Sequence, residues 1–124
     1  MKASVIKQDL SEEFYTDEKC FITELSNHFN DPELSIARAR VKPGVTTSFH
    51  KLIKTVERYY IVSGQGKVEA GDLPEEIVEP GDIVIIPPMV VQRITNTGTV
   101  DLIFLALCTP RFTKDAYLDV KDEQ

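Results

Sequence analysis

The chain has 124 residues, 42% hydrophobic and 27% charged, with a formal net charge of −6. That length is one domain's worth, and the composition is that of a chain able to bury its own core. An acidic chain with no cluster of Lys and Arg offers phosphate backbones and anionic membrane surfaces nothing to hold, so nucleic-acid binding and membrane attachment are set aside.

In chain order, the N-terminus turns polar too soon for a signal peptide, and no apolar run reaches the length of a membrane span. The expected compartment is the cytoplasm. Ser11-Glu12-Glu13-Phe14 predicts a short helical turn with Ser11 as its cap. Strand-like runs rich in Val, Ile, Thr and Tyr follow at Cys20–Leu25, Leu34–Val41, Thr47–Ile53, Glu57–Ser63, Lys67–Ala70, Ile77–Val78, Ile83–Ile86, Val91–Asn96 and Leu102–Cys108. Turn signals separate them, among them Asn30-Asp31-Pro32, Pro43-Gly44, Gly64-Gln65-Gly66, Pro80-Gly81-Asp82 and Asn96-Thr97-Gly98. A second helical turn is expected at Thr113–Tyr117, and Val120–Gln124 are polar enough to fray. Many short strands without a βαβ rhythm predict an all-β sandwich or barrel, and a jelly roll closes two antiparallel sheets over one interior.

Two stretches carry more than strand character. The first, Gly44 to Gly64, places Gly44, His50, Glu57 and Gly64 at the spacing G-x5-H-x-H-x3,4-E-x6-G, with Leu52 where a second His would stand. The second, Gly81 to Asn96, places Gly81, Pro87 and Asn96 on G-x5-P-x-G-x2-H-x3-N, with Met89 for the inner Gly and Gln92 for the His. Together, in this order, they resemble the two motifs of the small single-domain cupins. The resemblance implies a cupin jelly-roll (double-stranded β-helix) barrel with little helix. It implies one domain over 1–124, with a core of about 34–110, an N-terminal segment 1–33 carrying an extra strand, and a short tail 111–124. In that family such a strand often joins the sheet of a second subunit, so a homodimer is expected.

The resemblance also implies a divalent metal (Mn, Fe, Ni or Zn), held in the family by the two His and the Glu of the first motif and the His of the second. Of that set this chain keeps His50 and Glu57, with Gln92 at the third place. Alternation along strands points the same way. Residues two apart share a face, so His50, Leu52 and Ser48 look to one side, as do Glu57, Tyr59 and Thr55, and Gln92 with Val90 and Ile94. If those faces are interior, His50, Glu57 and Gln92 converge, and Leu52, Tyr59, Thr55 and Ser48 line a pocket. An imidazole, a carboxylate and an amide oxygen suit a harder ion such as Mn²⁺, Mg²⁺ or Fe²⁺ better than a structural Zn²⁺. The alternative is a metal-free cluster in which His50 and Gln92 satisfy a buried Glu57 by hydrogen bonds.

Two functions therefore stand. One is a metal-dependent enzyme on a small polar, sugar- or acid-like substrate. The other is a non-catalytic, metal-free binding or vestigial module. Arg38 and Arg40 are expected to be solvated, Arg58 and Arg93 to point away from the site, and Cys20 and Cys108 to be free thiols in the core.

Overall fold

The structure is a computed structural model that describes residues 1–120. Eleven strands form it: β1 Phe14–Tyr15, β2 Phe21–Ser26, β3 Ser35–Val41, β4 His50–Leu52, β5 Val56–Ser63, β6 Gly66–Ala70, β7 Glu76–Val78, β8 Ile83–Ile86, β9 Gln92–Asn96, β10 Leu102–Thr109 and β11 Tyr117–Asp119. The helical content of the described residues is two 3-10 turns, Leu10–Glu12 and Lys114–Ala116. A six-stranded sheet runs β1-β2-β3-β10-β5-β8 and a five-stranded sheet β11-β4-β9-β6-β7, with every pairing antiparallel. This is the jelly roll that the short punctuated strands predict. Among the described residues, no helix is long and apolar enough to cross a membrane.

The core lies between the sheets. Ala39, Val41, Tyr59, Ile61, Val84, Ile86, Leu102 and Phe104 come from the larger sheet, and Val68, Val78 and Ile94 from the smaller. Alternation is clean along β5, where Glu57, Tyr59 and Ile61 are buried while Tyr60 and Val62 are exposed. Ile83 and Ile85 stand beside them on the same outer face.

The flanks differ from the sequence expectation. Asp9, not Ser11, caps the first turn: its Oδ1 accepts the Ser11 backbone N–H at 3.0 Å, because the turn begins two residues earlier than a Ser11 cap implies. The N-terminal strand β2 pairs with β3 of its own chain, Phe21 opposite Arg40 and Thr23 opposite Arg38. Arg38 and Arg40 are part-exposed on the outer face and are paired rather than freely solvated. Both reach Glu13, Arg40 through two bonds at 2.7 and 3.0 Å, and Arg40 also bonds Asp101 at 3.1 Å. The chain after Pro110 turns back and adds β11 to β4, so Val120 is buried rather than frayed; Lys121–Gln124 lie outside the described residues.

Two backbone positions fix how the motifs turn. Gly64 has φ +85°, and a Cβ there would stand 2.6 Å from the Asp101 carbonyl. Met89, in place of the motif's inner Gly, has φ +70°, a region that costs an L-residue about 1–2 kcal/mol. In urea melts, Gly64→Ala should lose about 3 kcal/mol or more, since strain and clash add. Met89→Gly should leave stability unchanged or raise it by about 1 kcal/mol, as relief of strain is partly offset by a freer unfolded chain.

Candidate functional site

Three strands bring the motif residues together. Glu57 sits near the start of β5, His50 opens β4, and Gln92 opens β9 directly opposite His50 in the ladder. All three are buried. The Gln92 amide donates from Nε2 to Glu57 Oε1 at 2.7 Å, and its Oε1 accepts the Tyr59 hydroxyl. Tyr59 packs in turn on Phe104, with centroids 4.4 Å apart. The other Glu57 oxygen, Oε2, has the Cys108 thiol at 3.9 Å, a weak donor at long range.

His50 is held from its other side. Its Nδ1 stands 3.1 Å from the Ser48 carbonyl and 3.1 Å from Glu18 Oε2. Two acceptors at one nitrogen require that Nδ1 carry a proton, which leaves Nε2 facing the interior. There Glu57 Oε1 lies at 3.8 Å, too far for a hydrogen bond yet close for a charge. The ring stacks on Tyr117 of β11, centroids 5.2 Å apart and planes 17° from parallel.

Glu18 and Tyr117 lie outside both motifs, and alternation does not reach them. Glu18 rides a tight loop. The Thr16 N–H donates to the Cys20 carbonyl at 2.9 Å, Lys19 takes φ +72° and donates its N–H to the Thr16 carbonyl, and the Glu18 carbonyl accepts the Ser48 N–H at 3.1 Å. The sequence signal was faint: an acidic residue two positions before a core cysteine.

These groups border a cavity of about 70 Å³. Leu52, Tyr59, Glu18, Phe104, Phe112 and Tyr117 are among its walls. Ser48 and Thr55 are not. β4 is only three residues long, so the alternation assumed from Thr47 breaks before it, and Thr47 faces the cavity in place of Ser48. Thr55 precedes β5 and is buried with its hydroxyl donated to the Ile53 carbonyl at 2.9 Å. Arg58 and Arg93 do point away. Arg58 bonds the Thr109 hydroxyl, and Arg93 bonds Glu69 while covering the Phe49 ring at 3.9 Å. Cys20 and Cys108 are buried free thiols; burial, the largest influence on each, pushes both up, Cys20 to about 12.

The metal set expected from the resemblance does not fit this arrangement. The Gln92 oxygen is taken by Tyr59, and the amide turns its N–H, not its oxygen, toward Glu57. His50 Nε2 and the Glu57 carboxylate remain, two ligands where a catalytic zinc site uses three and the family motifs supply four. Among the described residues, no group of three His, Cys, Asp or Glu side chains is placed to hold an ion.

The "Cupin domain" family model matches residues 37–108. The chain belongs to the cupin family. An uncharacterized protein of Methanocaldococcus jannaschii is 31% identical over 117 residues, 93% of each chain. A predicted oxalate decarboxylase of Thermotoga maritima superposes with a TM-score of 0.73 at 23% identity, over 86% of this chain and 99% of that one. The Streptomyces nucleoside dehydratase Pac13 does so with a TM-score of 0.73 at 18% identity, over 95% and 92%. Such distant structural likeness shows the cupin fold.

Burial pushes the His50 imidazole down, but the carboxylates of Glu57 and Glu18 more than offset it and hold it at about 9 against an ordinary 6.5. Burial pushes the Glu18 carboxyl up, more than the neighbouring His50 pulls it down. A group whose native pKa is raised binds its proton more tightly folded than unfolded. The His50 contribution to stability is therefore whole below pH 6.5 and is lost as pH rises through about 9; the Glu18 shift has the same sign. The melting temperature should fall by about 10 °C between pH 6.5 and roughly pH 9.5. His50→Gln, read by the same melts, should be less stable at low pH and show a shallower fall.

Proposed function

We propose that this cupin binds a small molecule in the cavity and exchanges a proton with it through His50 Nε2. Glu57 is the opposing base, and Glu18 is the positioning residue that fixes the imidazole. The observation that carries the reading is the imidazole itself. Its Nδ1 is committed to Ser48 and Glu18, and its Nε2 is aimed into the cavity across from Glu57. A carboxylate that orients an imidazole through one nitrogen while the other does proton chemistry is a recurrent catalytic arrangement.

The likeness to a nucleoside dehydratase supports the same chemistry. Elimination of water needs an acid on the departing hydroxyl and a base on the neighbouring C–H. His50 and Glu57 could supply these from one side each. In such a step Glu57 takes the proton from carbon, the C–O bond breaks, and the Nε2 proton leaves with the oxygen as water.

Nitrogen-15 NMR of tag-free protein tests the reading. His50 should show a protonated Nδ1 and should titrate near 9. Added Mn²⁺, Fe²⁺, Ni²⁺ or Zn²⁺ should raise the melting temperature by less than about 1 °C, since no three-ligand site is assembled. A stoichiometric metal that stabilises the protein, with the effect abolished in His50→Ala, would establish the metal-dependent reading instead.

For assembly we propose a homodimer in the cytoplasm, with the outer face of β5 and β8 in the contact. Tyr60, Val62, Ile83 and Ile85 stand exposed there side by side, where an antiparallel sheet facing water is normally polar. Sedimentation should give a dimer at on the order of tens of micromolar and a monomer for Ile85→Lys. A monomeric parent chain would overturn this.

A further inference from the structure

We infer that the end of the ligand seated between His50 and Glu57 is an uncharged alcohol, and that the cavity refuses organic acids and ammonium groups alike. The inference rests on the acid–base reading and narrows it to a substrate class.

The gap between the two residues sets the first condition. His50 Nε2 and Glu57 Oε1 are 3.8 Å apart. One atom placed roughly 2.8 Å from each can bridge them at ordinary hydrogen-bond lengths. It must accept from the imidazolium N–H and donate to the carboxylate. A hydroxyl oxygen does both. A ligand carboxylate has no proton to donate, and an ammonium has no lone pair to accept with.

Charge sets the second condition. Two carboxylates, Glu18 and Glu57, border the cavity, and neither Lys nor Arg is among its lining residues. The one cation, His50, already has Glu18 at 3.1 Å. An entering acid would leave water for a space with surplus negative charge and no free counter-ion, and a buried charge without a partner is costly. The half-satisfied Glu57 Oε2, with only a thiol at 3.9 Å, adds to that negative field and offers a further acceptor to a hydroxyl.

Shape sets the third. Ile22, Leu52, Phe104 and Phe112 give carbon to the remaining wall, beside the uncharged Cys20, Thr47, Tyr59 and Tyr117. At about 70 Å³ the cavity has room for several waters, enough for the hydroxyl-bearing end of a small molecule, with the rest of the molecule toward the mouth. An apolar wall opposite one hydrogen-bonding edge is the surface that receives a CH–OH terminus.

The test uses three probes of one skeleton that differ in head group: 1-propanol, propionate and propylammonium. Each is titrated at pH 7 into the full chain, and the His50 ring signals and saturation are followed by NMR. Propanol should shift the His50 signals saturably and bind at least about tenfold more tightly than either charged probe, a difference of about 1.4 kcal/mol. In Glu57→Gln the carboxylate charge is gone and an amide donor takes its place, so the propionate-to-propanol ratio should rise by about tenfold or more. Leu52→Ala, which widens the wall without touching a polar group, should keep the parent order of the three.

Propionate or propylammonium binding as tightly as propanol in the parent chain would overturn the inference, as would no His50 shift with any of the three. The acid–base reading fails separately, if the His50 ring titrates near its ordinary 6.5 while propanol still binds best.

Discussion

A single buried carboxylate organises the interior of this barrel. An ionised Glu57 taken from water must be repaid by donors and charges nearby, at a cost of several kcal/mol if it is not. The Gln92 amide meets it at 2.7 Å, and that amide is itself held by the Tyr59 hydroxyl, whose ring leans on Phe104. On the other side His50 faces it at 3.8 Å, backed by Glu18. Removing any member strands the next. A glutamine standing where the family motif has histidine is therefore not a gap. The amide is a donor and an acceptor at once, and it joins two residues that an imidazole ligated to a metal would leave apart.

That difference explains which parts of the molecule were legible in the sequence. Spacing on β5 revealed that Glu57, Tyr59 and Ile61 share the inner face, because eight residues of regular strand keep the period of two. Around His50 the period fails. The strand there is three residues long, the chain before it is irregular, and Thr47 rather than Ser48 turns inward. The direction of the Gln92 amide could not be read either. Residue type says only that oxygen and nitrogen are both available, and the choice is made by Tyr59 on one side and Glu57 on the other. The sequence-based metal set assumed the oxygen was free.

The groups most remote from the motifs had no local signal at all. Glu18 is aimed by a loop whose turn depends on Thr16, Lys19 and Cys20, and Tyr117 arrives on a strand that pairs with β4 from the far end of the chain. Both act on His50 through contacts whose sequence separation hides them from any window. Arg38 and Arg40 show the same limit on the outer face. Alternation put them outside correctly, but only the fold brings Glu13 across to pair with them.

The last strand has a consequence for how the molecule is made. Tyr117 stacks on His50, and the Phe49 carbonyl accepts the Val120 N–H at 3.1 Å, so the final turn of chain lies over the imidazole. During synthesis the strands from β2 to β10 leave the ribosome before β11, and of these strands only β4 still lacks a neighbour once Pro110 has emerged. Throughout that interval the imidazole lacks its aromatic neighbour and remains open to water. The larger sheet thus has all its strands before β11 adds the edge of the smaller one, and the residues that cover the histidine are among the last of the described chain to be translated.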